Sequence, residues 1–319
     1  MPTNLDEKLA VIVLGSINED IVAQVEDLPR RGETVAALRI DRSPGGKGLN
    51  QAVAAARFGA RVTLRGAVGD DAAGALLRTE MEKAGLDTAG VDIVANTATG
   101  QALIYLARNG DNSIVVATGA NADYGAARLA ATPLPACTVL LTQFESTIDA
   151  IEALFSGGGD RPLRILNAAP ALLGGRSLLP LADIVILNET ELQTFAGSLA
   201  PLLDDEMLVA AARRLISRPD QRVMVTLGAD GCRSIDAATM ESIPAFPVAV
   251  VDTVGAGDCF CGVFAAAMAE HMTITDALRY AAAAAALSVG RRGAATAMPY
   301  RAEVEAFLRD AGRASSRDA

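Results

Sequence analysis

Residues 250–270, VVDTVGAGDCFCGVFAAAMAE, place a β-branched run, two glycines and an aspartate directly before a long helical stretch. Gly255 and Gly257 let the backbone turn tightly and approach a ligand closely. The helix behind them begins with unpaired N–H groups and about half a positive charge. Together these features form an anion site suited to phosphate. Asp258 stands at that helix start, where a carboxylate can take a proton from an alcohol while backbone amides hold a phosphoryl group. The competing local reading is that Asp258 only caps the helix and the glycines form an ordinary turn.

Working outward, apolar runs alternate with alanine-rich helical stretches. Leu9–Gly15 and Arg61–Ala67 are expected strands, as are 138–141, 163–166, 184–187 and 223–227. Helices are expected over Gly48–Phe58, stopped by Gly59, and over Ala72–Lys83, begun by Asp70 or Asp71 and stopped by Gly85. Further helices are expected over 148–155, 206–216, 258–270, 275–289 and 301–309, with a frayed tail over 314–319. This alternation implies an α/β fold with a mainly parallel sheet covered by helices on both faces. Residues 21–42 and 100–117 break the rhythm with β-branched runs, including Val35–Ile40, and Asn109-Gly110 is a hairpin turn signal. These two segments are expected to form a small accessory β-sheet, a lid or a dimer surface, attached to a single domain over 1–319.

The chain has 319 residues, 51% hydrophobic and 21% charged, enough for a large core. Its apolar stretches, such as Leu9–Leu14, fall short of the roughly 18 residues that a membrane span needs. The N-terminal stretch lacks the pattern of a signal peptide, so a cytoplasmic location is expected. A net charge of −10 argues against nucleic acid as a partner. Cys137, Cys232, Cys259 and Cys261 show no zinc spacing and are expected to be reduced. His271 is the one histidine and sits at an expected helix end, which disfavours a Ser/His/Asp triad.

Three other stretches bear polar groups on loops. Pro44–Gln51, PGGKGLNQ, opens a helix but is not a P-loop, since Ser or Thr does not follow Lys47. It has the chemistry of a polyol site, or of a plain loop with a capping asparagine. Gly15–Asp20, GSINED, is not GxGxxG, which disfavours an NAD-dependent dehydrogenase. It sets Asn18 and Asp20 where open α/β sheets bind ligands, or it is a turn stabilised by its own side chains. Leu187–Glu191, LNETE, carries Glu191 near a strand end, able to help hold Mg²⁺ or simply to start a helix capped by Asn188.

These stretches together resemble the ribokinase (PfkB-type) family of sugar kinases. SINED, GGKGLNQAVAAARFG, Glu145 in LTQFES, LNETE, TLGADG and VDTVGAGD occur in the family's order across roughly residues 11–310. The resemblance implies a ribokinase-like α/β fold and ATP-dependent phosphorylation of a small sugar's primary hydroxyl. D-ribose is favoured because GGKG-x-NQ with N-x-D is most like ribokinases. It implies sugar contacts from Asn18, Asp20, Gly46, Lys47, Asn50 and Glu145. Asn188, Thr226, Gly228 and Gly231 would lie on the nucleotide side. Gly255, Ala256 and Gly257 would form the anion hole, with Asp258 as the base. Glu191 would act on Mg²⁺ indirectly. Asp252, Val254, Ser288, Arg291 and Gly293 match the family's loop for a monovalent cation, usually K⁺. A homodimer through the lid is expected.

Three positions depart from the family pattern. Leu49 replaces a usual alanine in the sugar segment, Ala282 a polar residue that meets the nucleotide, and Ala297 a serine that ligates the monovalent cation. The alternatives are a nucleoside kinase, a kinase of another furanose or hexose, and a non-catalytic sugar sensor. A pure binder has no need of Asp258 as a base.

Overall fold

The computed structural model describes residues 10–157, 162–198 and 204–315. The chain runs β1 (Ala10–Leu14), β2 (Asn18–Val25), β3 (Arg39–Gly45), α1 (Lys47–Phe58), β4 (Arg61–Gly69), α2 (Ala72–Lys83), β5 (Asp87–Val94), β6 (Gly100–Ala107) and β7 (Asn112–Ala117). It continues α3 (Ala126–Ala131), β8 (Val139–Gln143), α4 (Ile148–Ser156), β9 (Leu163–Asn167), β10 (Ile184–Asn188), α5 (Glu189–Ala196), α6 (Asp205–Arg213) and β11 (Arg222–Thr226). It ends with β12 (Cys232–Ile235), β13 (Met240–Ile243), α7 (Ala256–Ala269), α8 (Ile274–Val289) and α9 (Arg301–Ser315).

Nine strands form one sheet in the order β13-β12-β11-β10-β9-β8-β1-β4-β5. Pairing is parallel from β11 to β5, and β12 and β13 extend one edge antiparallel. β1 is buried along its whole length. Its alternate side chains serve two cores: Val11 and Val13 pack with α1, α7 and α8, Ile12 and Leu14 with α4, α5 and α6. This is the period-two geometry of a strand covered on both faces. A separate four-stranded sheet has the order β3-β2-β6-β7, antiparallel except for the β2–β6 pair.

The expected α/β architecture is observed, with differences at its margins. The small sheet starts at Asn18 rather than Ile21 and reaches Gly45, so it carries residues of two polar motifs itself. Of the Val35–Ile40 run only Arg39 and Ile40 are in a strand; Val35 and Leu38 are exposed in the preceding segment, where no burial rewards pairing. α7 begins two residues ahead of Asp258. α9 continues through Ser315, beyond the expected Arg309, carried by its amphipathic pattern; the rest of the expected frayed tail, and Leu9, lie outside the described residues.

One close approach and one left-handed turn position the site. α1 and α7 pack so tightly at Gly262 that a Cβ there would lie 2.3 Å from Gln51 O and 2.7 Å from Ala54 Cβ. Gly255 takes a left-handed φ of 77° at the start of α7, where a side chain would be strained.

Candidate active site

The parallel strands deliver their carboxyl ends to one edge of the large sheet. β1 leads into Ser16–Asp20, β8 ends at Gln143 shortly before Glu145, β9 ends at Asn167, β10 at Asn188 and β11 at Thr226. The edge of an open α/β sheet where ligands bind is this one.

Asp258 occupies the first turn of α7 and is buried. It does not cap its helix. Asn50 Nδ2 donates to Asp258 Oδ2 at 2.9 Å, and Gln51 Nε2 donates to Oδ1 at 2.9 Å. α7 has no side-chain cap at Gly255. The Ala256 amide turns back onto Thr253 O at 3.3 Å, so of the expected anion-hole residues it is Gly255 and Gly257 that line the cavity beside Asp258.

That cavity, about 210 Å³, runs from Lys47 and Asp258 to Asn188, Glu191 and Thr226. It joins Asp258, Gly255 and Gly257 to two of the four expected nucleotide residues, Asn188 and Thr226. Gly228 lies in the turn Gly228–Asp230 after β11 and Gly231 caps that turn, both outside the cavity lining. Lys47 brings the basic charge: its ammonium is raised above the ordinary lysine range, chiefly by the Asp258 carboxylate.

The sugar-side residues gather on the small sheet and α1. Asn18 and Asp20 lie at the start of β2, paired with Gly45 and Ser43 of β3. Asp20 is pushed up to about 7, first by burial and then by the charges of Glu145 and Asp258. Asn18 Oδ1 accepts from Asn121 Nδ2 at 2.8 Å, and Asn121 Oδ1 accepts from Ile17 N at 2.9 Å. Asn121 therefore fixes the polarity of the buried Asn18 amide. Glu145 braces both glycine motifs: it accepts from Ser16 Oγ at 2.5 Å and from Lys47 N at 3.3 Å. Gly46 has a φ of 89° and a Cβ there would lie 2.8 Å from Ser16 O, so it is the joint between the motifs.

On the nucleotide side, Asn188 is the N-cap of α5 and forms a capping box with Glu191. Asn188 Oδ1 accepts from Glu191 N and Glu191 Oε2 accepts from Asn188 N, each at 2.8 Å. The helix-start reading of this motif is thus present in the structure alongside its place in the cavity. Burial raises the Glu191 carboxyl above its ordinary range.

The expected cation loop comes from two segments that meet. Asp252 accepts from Val254 N at 3.0 Å and from Gly293 N at 2.9 Å. Val251 N and Asp252 N donate to Val289 O at 2.7 and 3.1 Å. Ser288 Oγ donates to Ala285 O, and the Arg291 guanidinium is held by Glu303 at 2.5 Å. Arg291 can therefore face a cation only with its backbone.

Gln51, Asn121, Gln143, Asn167 and Cys261 carry no site role expected from the sequence, Cys261 being expected only as a reduced cysteine. Gln51 and Gln143 stand inside the motifs GGKGLNQ and LTQFES, and Asn167 ends a strand at the binding edge, so each has a weak signal. Asn121 has none that spacing reveals.

A family model described as pfkB family carbohydrate kinase matches residues 8–301. The chain is 36% identical to the ribokinase of Haemophilus influenzae over 302 residues, 94% of this chain and 98% of that one. It is 38% identical to the ribokinase of Bacillus subtilis over 302 residues, 93% of this chain and 99% of that one. Among solved structures, Arabidopsis thaliana ribokinase complexed with ribose and ATP aligns with a TM-score of 0.81 at 31% identity, covering 94% of this chain and 98% of that one.

Proposed function

This chain belongs to the pfkB family of carbohydrate kinases, and from that premise we propose that it moves the γ-phosphoryl group of ATP to the primary hydroxyl of D-ribose. It is an ATP-dependent sugar kinase. The observation that carries the residue-level reading is the Asp258 carboxylate, held by Asn50 and Gln51 at the uncapped start of α7 beside Lys47. Asp258 takes the proton of the hydroxyl as the phosphoryl group arrives. The amides of Gly255 and Gly257 and the Lys47 ammonium steady the charge that develops on the phosphoryl oxygens, with the Ala256 amide turned back onto Thr253 O. Asn18, Asp20, Gly46 and Asn50 orient the sugar, with Glu145 bracing that segment. Asn188, Thr226, Gly228 and Gly231 serve the nucleotide.

Mg²⁺ with the phosphates would neutralise their charge. Glu191, in the cavity lining, is the carboxylate that would act on Mg²⁺ through water. The junction of residues 251–254 with 288–293 fits K⁺: a carboxylate, Asp252, lies at its centre and the Arg291 guanidinium is turned away onto Glu303.

The small sheet serves as the lid, closing over the sugar and keeping water from the phosphoryl group. A homodimer through it is supported by exposed apolar side chains at both edges, Ile40 on β3 with Leu38 just before it, and Ile114, Val115 and Val116 on β7. Unpaired, apolar edges invite a second copy. No helix of the described residues is long and apolar enough to cross a membrane.

The experiment that tests the function is a coupled ADP-release assay over pentoses, deoxypentoses, hexoses and nucleosides, with and without K⁺. Ribose should give the highest kcat/KM. Preference for a nucleoside or a hexose would replace ribose, and no ADP release with any acceptor would remove the kinase reading.

A further inference from the structure

Three buried amides that the reaction above does not consume form a line behind the Asp258 carboxylate. Gln51 on α1 and Gln143 at the end of β8 are fully buried, and Asn167 at the end of β9 is 8% exposed. Gln51 Nε2 donates to Asp258 Oδ1 at 2.9 Å and to Asn167 Oδ1 at 3.0 Å. Gln143 Nε2 donates to Gln51 Oε1 at 2.6 Å, and Asn167 Nδ2 donates to Ile186 O at 3.2 Å.

An amide offers an acceptor at one end and donors at the other, so its orientation decides what its neighbours meet. Asn167 cannot turn over without setting its oxygen against the carbonyl of Ile186. Gln51 cannot turn over without setting its oxygen against both a carboxylate and the Asn167 oxygen, and its NH₂ against that of Gln143. In a buried network each such mismatch is expensive. The line therefore has one polarity, and its end always presents N–H to Asp258.

We propose that Gln51, backed by Gln143 and Asn167, is a positioning residue that fixes the plane of the Asp258 carboxylate. With Asn50 on Oδ2 and Gln51 on Oδ1, each oxygen has one lone pair committed to the protein and keeps another to accept the substrate proton. Without Gln51 the carboxylate is held at Oδ2 alone and can swing about its Cβ–Cγ bond, so the proton acceptor is less firmly held in line with the hydroxyl. Gln143 makes no contact with Asp258 and acts only by holding Gln51 the right way round.

This inference rests on Asp258 being the base, and the test keeps the two apart. Steady-state kinetics are measured on Gln51→Met, Gln143→Met, the double variant and Asp258→Asn, each with a thermal melt. Gln51→Met should lower kcat by about 10–10²-fold, the scale of misplacing a reacting group, while the KM for ribose stays within about threefold. Gln143→Met should lower kcat by less, again at constant KM. The double variant should match Gln51→Met alone, because Gln143 works through Gln51. A merely structural role would move KM and melting temperature with kcat, and the two losses would multiply. Parental kcat in Gln51→Met, or a double variant that loses the product of both effects, overturns the proposal. If Gln51→Met does not fold, parental kcat in Gln143→Met overturns it instead. Parental turnover in Asp258→Asn removes the base itself; loss there with parental Gln51→Met removes only the amide line.

Discussion

Asn50 and Asp258 are 208 positions apart in sequence, yet Nδ2 of the first donates to Oδ2 of the second at 2.9 Å. The bond ties the proposed sugar-side motif on α1 to the proposed base on α7. It also settles the polarity of Asn50. One N–H is thereby committed, and the Oδ1 atom is buried without a partner among the described residues. A hydroxyl that reaches Oδ1 has to donate to it, while the second N–H of the amide remains a donor.

Replacing the base should separate binding from chemistry. Asp258→Ala is expected to lower kcat by about 10²–10⁴-fold, the usual contribution of a positioned acid or base, while ribose binding stays within a few-fold. Turnover and ribose affinity by calorimetry check this. Near-parental turnover would take the role away from Asp258.

Asp20 gives the unliganded chain a pH signature. Its folded-state value of about 7 lies above the ordinary 3.8, so the folded form holds a proton that the unfolded form has released. Stability then falls as pH rises through that window and the penalty is fully present above about pH 7, a change of about 2–3 kcal/mol between pH 5 and pH 7. Asp20→Asn, which cannot ionise, should flatten that part of the stability profile. Denaturant titrations of both chains across this range provide the measurement, and parallel profiles would contradict the assignment.

The exposed strand β7 predicts the assembly. Val115 and its neighbours Ile114 and Val116 are all exposed at the sheet edge. Val115→Arg should turn a dimer into a monomer in analytical ultracentrifugation, with the melting temperature of the monomer unit little changed. A parent that already sediments as a monomer would end the proposal.

Asp252 links the two segments of the proposed K⁺ loop through Val254 N and Gly293 N. K⁺ should raise parental activity, and Asp252→Ala should abolish that response. A variant that keeps a full K⁺ response would show that the cation acts elsewhere.

Much of this arrangement was readable from the chain because it is locally encoded. α2 forms over Ala72–Lys83 as expected, since Asp71 accepts from Gly74 N and supplies the start. Gly59 closes α1 in the left-handed conformation that its position implied. Strands buried on both faces, such as β1 and β8, announce themselves as short apolar runs. β5, β12 and β13 were not foreseen. They lie at the sheet's two edges, where alternation is diluted by Asp87, Asp92, Arg233 and Glu241 and pairing, rather than burial, selects the strand.

The sequence by itself determined the parallel α/β scaffold, the glycine turn before α7 and the set of polar residues at the strand ends, because hydrophobic period and turn chemistry act between near neighbours. Only the tertiary structure decided that Asp258 leaves its own helix uncapped and accepts instead from Asn50 and Gln51, and that Gln143 and Asn167 stand behind them. Those partners lie on separate elements, and their hydrogen bonds form only after the packing of α1 on α7 and the order of β8 and β9 in the sheet have removed water from between them.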